Sequence, residues 1–384
     1  MVPTRLGKDR LGVPGGADSC GPEELGHRTA GRRSLAAQRT ADDAGAVTQA
    51  GSGESSGPAV AGELPPQLVD KLLAAATAAP SMHNTQPWRF RVLPAPPAIE
   101  LRADPERMLP VTDPSGRAVY IACGAALLNL RLAAAVAGRE PVVQLLPDPG
   151  QPLLLATVRL AGPHRARPDE RELHAAITRR HTNRGPYSGR QVPPGALAEL
   201  ADAARIEDGI LHVLDRDETA RVLYLVRDAE RGWLADPAYR TELARWAGGP
   251  RDQDGIPDSA LGPRSPDRPA PVREFAPGRP APAGYAWFEE NPQLAVLSTH
   301  FSGTAHWLQA GQALQRVLLT ATNRGIAASP LTQPLETADA WLVRDPRSDR
   351  EEPQMILRIG YGLPVPPTPR RPVSEVLDEP GDRR

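Results

Sequence analysis

The chain repeats its own plan, and that repeat limits its fold more than any single motif does. Early in each half a Pro-Pro pair opens a helical run that leads to a strand-like run. Pro65-Pro66 leads to Phe90–Leu93, and Pro193-Pro194 leads to Leu211–Leu214. Later in each half comes a long Ala/Leu-rich helix, Cys123–Gly138 and Ala310–Gly325, each closing on the glycine that a helix C-terminus favours. A strand-like run follows each, Leu153–Val158 and Gln354–Tyr361. The period is too long for a stacked solenoid. A dimeric ancestor fused into one chain would read this way, and so would two generic halves with convergent patterning. The expected class is α+β. Each half would hold an antiparallel or mixed sheet with helices packed on it, around a long central helix pair. The halves fall at 63–165 and 166–384.

Composition narrows the partners. A net charge of −1 over 384 residues gives no electrostatic case for nucleic acid or an anionic membrane. Only Lys8 and Lys71 are lysines, which leaves little room for Schiff-base chemistry, whereas arginine suits bidentate phosphate capture. Cys20 and Cys123 are the only cysteines, so a disulfide framework, a CxxC pair or a cysteine zinc site is not expected. No apolar run reads as membrane-spanning and the N-terminus lacks a signal-peptide pattern, so the expected location is the cytoplasm. Residues 1–62 read as a disordered extension, or as a stretch upstream of a misassigned start. A Pro-, Arg- and Gly-crowded stretch at about 248–284 reads as a lid or a linker.

Four segments carry candidate chemistry. Ala79-Pro80-Ser81-Met82-His83-Asn84-Thr85-Gln86-Pro87-Trp88 sets short hydroxyl and amide side chains in a rigid turn between helix and strand. Amides both donate and accept, so the turn suits a planar heterocycle with imide and carbonyl edges. Arg179-Arg180-His181-Thr182-Asn183-Arg184 gathers cations and a hydroxyl in a short extended run, as a phosphate clamp would. Ala327-Ala328-Ser329-Pro330-Leu331 reads as a loop of small residues after the second long helix. Arg370-Arg371 lies in a basic C-terminal segment. No GxSxG, Walker A or GxGxxG pattern occurs. His300 and His306 are spaced wrongly for one helical face. Trp233, Trp246, Trp307 and Trp341 sit on apolar helical patterns and read as core.

The first segment resembles the flavin-contacting A-P-S-x-x-N-x-Q-P-W turn of the nitroreductase family. The resemblance implies that Pro80, Ser81, Met82, Asn84 and Gln86 contact FMN. It also implies that Arg180, His181, Thr182 and Arg184 grip the phosphate and ribityl chain, that Ala328, Ser329, Pro330 and Leu331 pass the flavin N5 edge, and that Arg370 or Arg371 reaches the phosphate. In nitroreductase dimers the turn and the clamp of one site come from different subunits. Here the turn survives only in half one, the clamp and the small-residue loop only in half two, and Arg205-Ile206-Glu207-Asp208 stands where the second turn would be. One FMN per chain, at the interface of the halves, is therefore expected.

That plan resembles the Acg-type, two-repeat branch of the superfamily, as does Asp113-Pro114-Ser115-Gly116-Arg117, where Asp113 would cap a helix and Arg117 would pair with a carboxylate. The implied activity is hydride transfer from NAD(P)H through FMN to a nitro, quinone or similar acceptor, with no side chain needed as acid or base. The branch covers its flavin with a lid. The insert is the natural candidate here, with Trp287 and Phe288 as anchors, and a non-enzymatic, FMN-sequestering protein is the alternative. Fused halves imply a monomer.

Overall fold

The computed structural model describes residues 64–266, 271–337, 340–344 and 351–378. The expectation for residues 1–62 lies outside these, as does the side chain of Trp341. Each half is built on a four-stranded antiparallel sheet. In the first half β1 (Trp88–Leu93), β2 (Ala98–Ala103), β3 (Arg139–Leu145) and β4 (Leu154–Pro163) lie in the order β1-β2-β4-β3. In the second, β5 (Ile210–Val213), β6 (Gln293–Thr299), β7 (Ala327–Leu331) and β8 (Glu352–Gly360) lie in the order β5-β6-β8-β7. The two orders are the same when matched strand for strand. Each sheet also carries a register shift in its second strand against its fourth, at Leu101/Arg102 and at Leu297/Ser298. Bulges of this kind are specific features, so finding both at matched places supports duplication over convergence.

The helices repeat the plan. α1 (Pro66–Thr77) starts with proline in its first turn, where the missing N–H costs nothing, and buries Val69, Leu72, Leu73 and Ala76 as one stripe. Its counterpart is α4 (Pro194–Ile206). The long helices are α2 (Arg117–Val136) and α7 (Thr304–Asn323), each starting a turn or more before the Ala/Leu run does. Gly138 and Gly325 follow them with φ of +79° and +67°, the left-handed C-terminal cap expected of both.

The two long helices cross where each carries a glycine. A Cβ on Gly124 would stand 2.2 Å from the Leu308 carbonyl oxygen, and one on Gly311 would stand 2.1 Å from that of Ile121. Beside the crossing the amide of Gln315 donates to Asn129 Oδ1 at 2.8 Å, and Asn129 Nδ2 donates to the Ala75 carbonyl at 2.9 Å. α2 is, by length and composition, apolar enough to cross a membrane, contrary to the sequence reading. Its apolarity is that of a core helix, buried along most of its length between α1, α7 and the first sheet.

Three readings need correction. Ala327–Leu331 is not a loop but the edge strand β7, paired with β8 from Ala327↔Gly360 to Leu331↔Ile356. Its Pro330 hid the strand, yet an edge is where a sheet tolerates proline. The connection between β5 and β6 is also larger than the expected insert. It runs over 214–292, whereas β1 and β2 join through residues 94–97. Two helices come first, α5 (Arg216–Ala235) and α6 (Pro237–Trp246), and they carry the helical patterns read around Trp233 and Trp246. The described residues of 248–284 then fold back as irregular chain, in which Ile256, Leu261, Phe275 and Ala276 pack with Tyr239 and Leu243 of α6. Lastly, Trp287 anchors nothing, being 69% exposed, while Phe288 is buried at 5% near the Arg358 guanidinium. The remaining α-helices among the described residues are α3 (Pro168–Ala176), lying against α2 and α7, and α8 (Val373–Val376).

Candidate functional site

The polar turn after α1 is strained. His83, Asn84 and Gln86 have φ of +50°, +56° and +52°, a region that costs a non-glycine residue on the order of 1–3 kcal/mol. Ser81 closes the turn, its Oγ accepting from the Gln86 N–H at 2.9 Å. Asn84 Nδ2 donates to the carbonyls of Gly255 (2.9 Å) and Pro369 (3.0 Å), and its Oδ1 accepts from Arg370 at 3.0 Å. Gln86 Nε2 donates to the Gln253 carbonyl at 2.7 Å, and its Oε1 accepts from the Arg371 N–H at 2.9 Å. Both amides therefore tie the insert and the C-terminal segment to half one. Each amide thus has protein partners on both its nitrogen and its oxygen. Partners so distant in sequence could not be read from the motif.

The clamp segment of half two comes to the same place. Thr182 forms a parallel bridge with Ala328, and the Asn183 N–H donates to the Ala328 carbonyl at 3.0 Å. Two of the four segments are thus adjacent. Arg180 is 4% exposed; its guanidinium donates to the Ala78 carbonyl at 3.2 Å. The half-buried Arg370 donates to the carbonyls of Ala78 and Ala79, both at 3.3 Å, and the half-buried Arg184 to that of Ala260 at 3.0 Å. Burial, with the charges of Arg370 and Arg184 next, pushes Arg180 down to about 9. Burial brings both Arg184 and Arg370 down to about 10.

No described carboxylate pairs with any of the three, and crowded cations left so are costly unless an anion joins them. His181, half-buried beside them, is held below the usual histidine range by burial and by Arg180 and Arg370. Arg371 does not belong to the cluster. Its guanidinium faces Asp104 at 3.4 Å and Glu375 at 3.6 Å, so its charge is already met. Of the two basic residues, the structure places Arg370 in the cluster.

Beside the cluster lies a cavity of about 90 Å³, several times the room one water needs. Both halves line it. Pro80, Ser81, Met82 and His83 come from the turn, and Arg117, Ala118, Ile121 and Ala122 from the start of α2. Thr182, Arg184, Leu314, Pro330, Thr332 and Met355 come from half two. Arg273 and Phe275 of the insert complete the wall. Leu331, expected here, points the other way into a core cluster with Val222 and Ile356, as strand alternation requires. Ala328 and Ser329 are buried beside the site without lining it.

Arg273 is fixed by hydrogen bonds to Thr332 Oγ1 at 2.9 Å and Glu336 at 3.1 Å. The Arg184 guanidinium sits 4.9 Å over the Phe275 ring. Asp113 caps α2 as expected, accepting from the N–H groups of Ala118 (2.9 Å) and Val119 (3.2 Å). Arg117 donates to the Gln354 carbonyl at 2.6 Å, crossing to the other half, and its charge faces those of Glu336 and Asp113.

Sequence reasoning missed His83, Arg273, Phe275 and the α2 contribution. His83 stood inside the motif, but as a lone histidine among amides. Arg273 and Phe275 stood in an insert whose composition suggested disorder.

The nitroreductase family profile matches residues 61–173. A Mycobacterium tuberculosis protein named as an NAD(P)H nitroreductase is 37% identical over 328 residues, covering 82% of this chain and 92% of that one. Another from the same organism, named NAD(P)H nitroreductase acg, is 32% identical over 329 residues, covering 81% of this chain and 95% of that one. Among solved structures, an Anabaena variabilis protein described as a nitroreductase covers 77% of this chain and 73% of its own, at 12% identity and a TM-score of 0.40. A Desulfitobacterium hafniense nitroreductase with bound FMN covers 52% and 94%, at 15% identity and 0.33. With the repeated sheets, the paired long helices and relatives this similar over most of its length, the chain belongs to the nitroreductase family, in its Acg-type, two-repeat branch.

Proposed function

We propose that the chain is an FMN-binding, nitroreductase-like oxidoreductase with one flavin site, built where the two halves meet. The observation that carries this is the cluster of Arg180, Arg184 and Arg370 without carboxylate partners among the described residues, beside a cavity lined by both halves. A phosphate monoester fits that donor set: three guanidiniums with a hydroxyl from Thr182 nearby. The relatives' names and the FMN in the D. hafniense structure support the same cofactor and an NAD(P)H co-substrate. When bound, FMN supplies the two-electron chemistry.

The chain's own residues hold and shield the group. Arg180, Arg184 and Arg370 take the phosphate. Pro80, Met82, Pro330 and Ile121 give apolar walls to the ring's compartment, while Phe275 and Arg273 keep water out. A monomer in the cytoplasm, with neither nucleic acid nor membrane as partner, completes the reading. At the place that echoes the turn, Glu207 grips Arg316 and Arg131, both at 2.6 Å. An ion-pair triad there supports a single site.

A second reading is favoured by the insert, since Phe275 and Arg273 wall the cavity where an acceptor would need to enter. In it the protein holds FMN without turning it over. Steady-state oxidation of NADPH by FMN-loaded protein, with a nitroaromatic or quinone acceptor, separates the two. Acceptor-dependent turnover supports the oxidoreductase. Negligible turnover at full FMN loading rejects it in favour of sequestration.

A further inference from the structure

Of the polar side chains in the strained turn, those of Asn84, Gln86 and Ser81 are committed to bonds within the protein. His83 is not. It is 4% exposed, lines the cavity, and neither ring nitrogen has a hydrogen-bond partner. Among the described residues its one ring contact is the edge of Phe275, with centroids 5.9 Å apart. Buried polar groups are nearly always partnered, so two orphaned nitrogens on one buried ring need an explanation. A left-handed backbone at a non-glycine residue in the same place is a second unexplained cost, and such costs gather at ligand sites.

We infer that His83, and not Asn84 or Gln86, is the hydrogen-bonding contact of this turn to the planar heterocycle that enters the cavity. The inference rests on the flavin reading above. Burial and the nearby charges of Arg273 and Arg184 hold the imidazole neutral, so it offers one donor and one acceptor. That is an uncharged, two-way complementarity to imide and carbonyl edges, on a side chain that no protein bond engages, whereas both amides are held by protein partners. Phe275, packed edge-on, fixes the plane of the imidazole before the ligand arrives.

The test separates ring contact from phosphate contact. Flavin-free full-length protein is titrated with FMN and with riboflavin, which lacks the phosphate. His83→Leu is expected to weaken both by the same factor, about tenfold for one lost hydrogen bond. Arg180→Met is expected to weaken FMN much more than riboflavin. The thermal midpoint of flavin-free His83→Leu is expected to equal or exceed that of wild type, because an orphaned polar ring is being removed. His83→Gln, which keeps a donor and an acceptor, is expected to recover part of the affinity. In wild type labelled with ¹⁵N-histidine, the His83 ring nitrogens are expected to shift on riboflavin addition. Unchanged flavin affinity in His83→Leu, or ring nitrogens that riboflavin does not move, overturns the inference while leaving the flavin site standing. Wild type that binds neither flavin overturns the function itself.

Discussion

Replacing Gly124 with alanine tests the fused-dimer architecture at its centre. The new Cβ would lie 2.2 Å from the Leu308 carbonyl oxygen and 3.0 Å from the Gly311 Cα, both backbone atoms that cannot rotate away. Ordinary contact begins near 3.4 Å, so α2 and α7 must part by about 1.2 Å, the difference 3.4 − 2.2. A gap of 0.5–1 Å forfeits roughly a quarter to a half of the dispersion attraction across it. Overpacking of this kind costs about 1–3 kcal/mol, occasionally more, and here the loosened packing of Ile121, Leu128, Leu308 and Ala310 along the crossing adds to it. Against this stands alanine's helix propensity, worth roughly 0.5–1 kcal/mol.

The net expectation is a destabilisation of about 1–3 kcal/mol, the loosened packing roughly cancelling the gain in propensity. Gly232, exposed within α5, is the internal control: a Cβ there meets nothing within 4 Å, so Gly232→Ala is expected to stabilise by roughly 0.5–1 kcal/mol. Urea denaturation followed by circular dichroism reads both. The same substitution would thus move the midpoint in opposite directions at the two sites. If Gly124→Ala is as stable as Gly232→Ala, the helices do not cross at their glycines and the reasoning fails. Because Ile121, Ala122 and Leu314 line the cavity from these helices, Gly124→Ala is also expected to weaken FMN binding, whereas Gly232→Ala is not.

Arg180→Met removes a buried cation without a carboxylate partner. Its flavin-free form should be at least as stable as wild type, while its FMN dissociation constant rises about 10- to 100-fold, the worth of a charged hydrogen bond. Inorganic phosphate should raise the thermal midpoint of flavin-free wild type, with about 2.7 kcal/mol at 100 times its dissociation constant, and should not do so in Arg180→Met/Arg370→Met. Burial raises Asp113 from 3.8 to about 6 in the folded protein. A carboxyl raised on folding favours the native state below its unfolded pKa and loses that contribution as pH rises through the folded one. Relative to Asp113→Asn, which keeps a capping oxygen, wild type should therefore lose roughly 2–3 kcal/mol between pH 4 and pH 6; parallel stability–pH curves would refute this. Phe275→Ala should open the cavity at a cost of about 3–5 kcal/mol and speed FMN release, and no change in release rate would mean that the insert does not cover the site.

Much of this fold was legible because its strongest signals are local. The Ala/Leu runs of α2 and α7 and the glycines that stop them, Gly138 and Gly325, name themselves by composition and position. Edge strands were not legible. β3 alternates in burial but sets Val142 on its exposed side beside Glu140 and Gln144, and β7 carries Pro330, so neither shows in its residue types the polar/apolar alternation of a half-buried strand. The clustering of Arg180 and Arg184 could be read because cations this concentrated in sequence have few structural uses. The roles of Asn84 and Gln86 could not, because their partners, Gly255, Gln253 and Arg371, lie far along the chain. The importance of His83 rests on what it lacks, a hydrogen-bond partner, which a sequence does not display.

The central claim is a single flavin site shared by two fused halves. Its most direct measurement is a titration of the purified, flavin-free chain with FMN, followed by flavin fluorescence, with light scattering on the same sample. The expected result is one FMN bound per chain in a monomer. Two per chain would mean that the second site was never lost, one per two chains would place the site between molecules, and no binding at all would contradict the account outright.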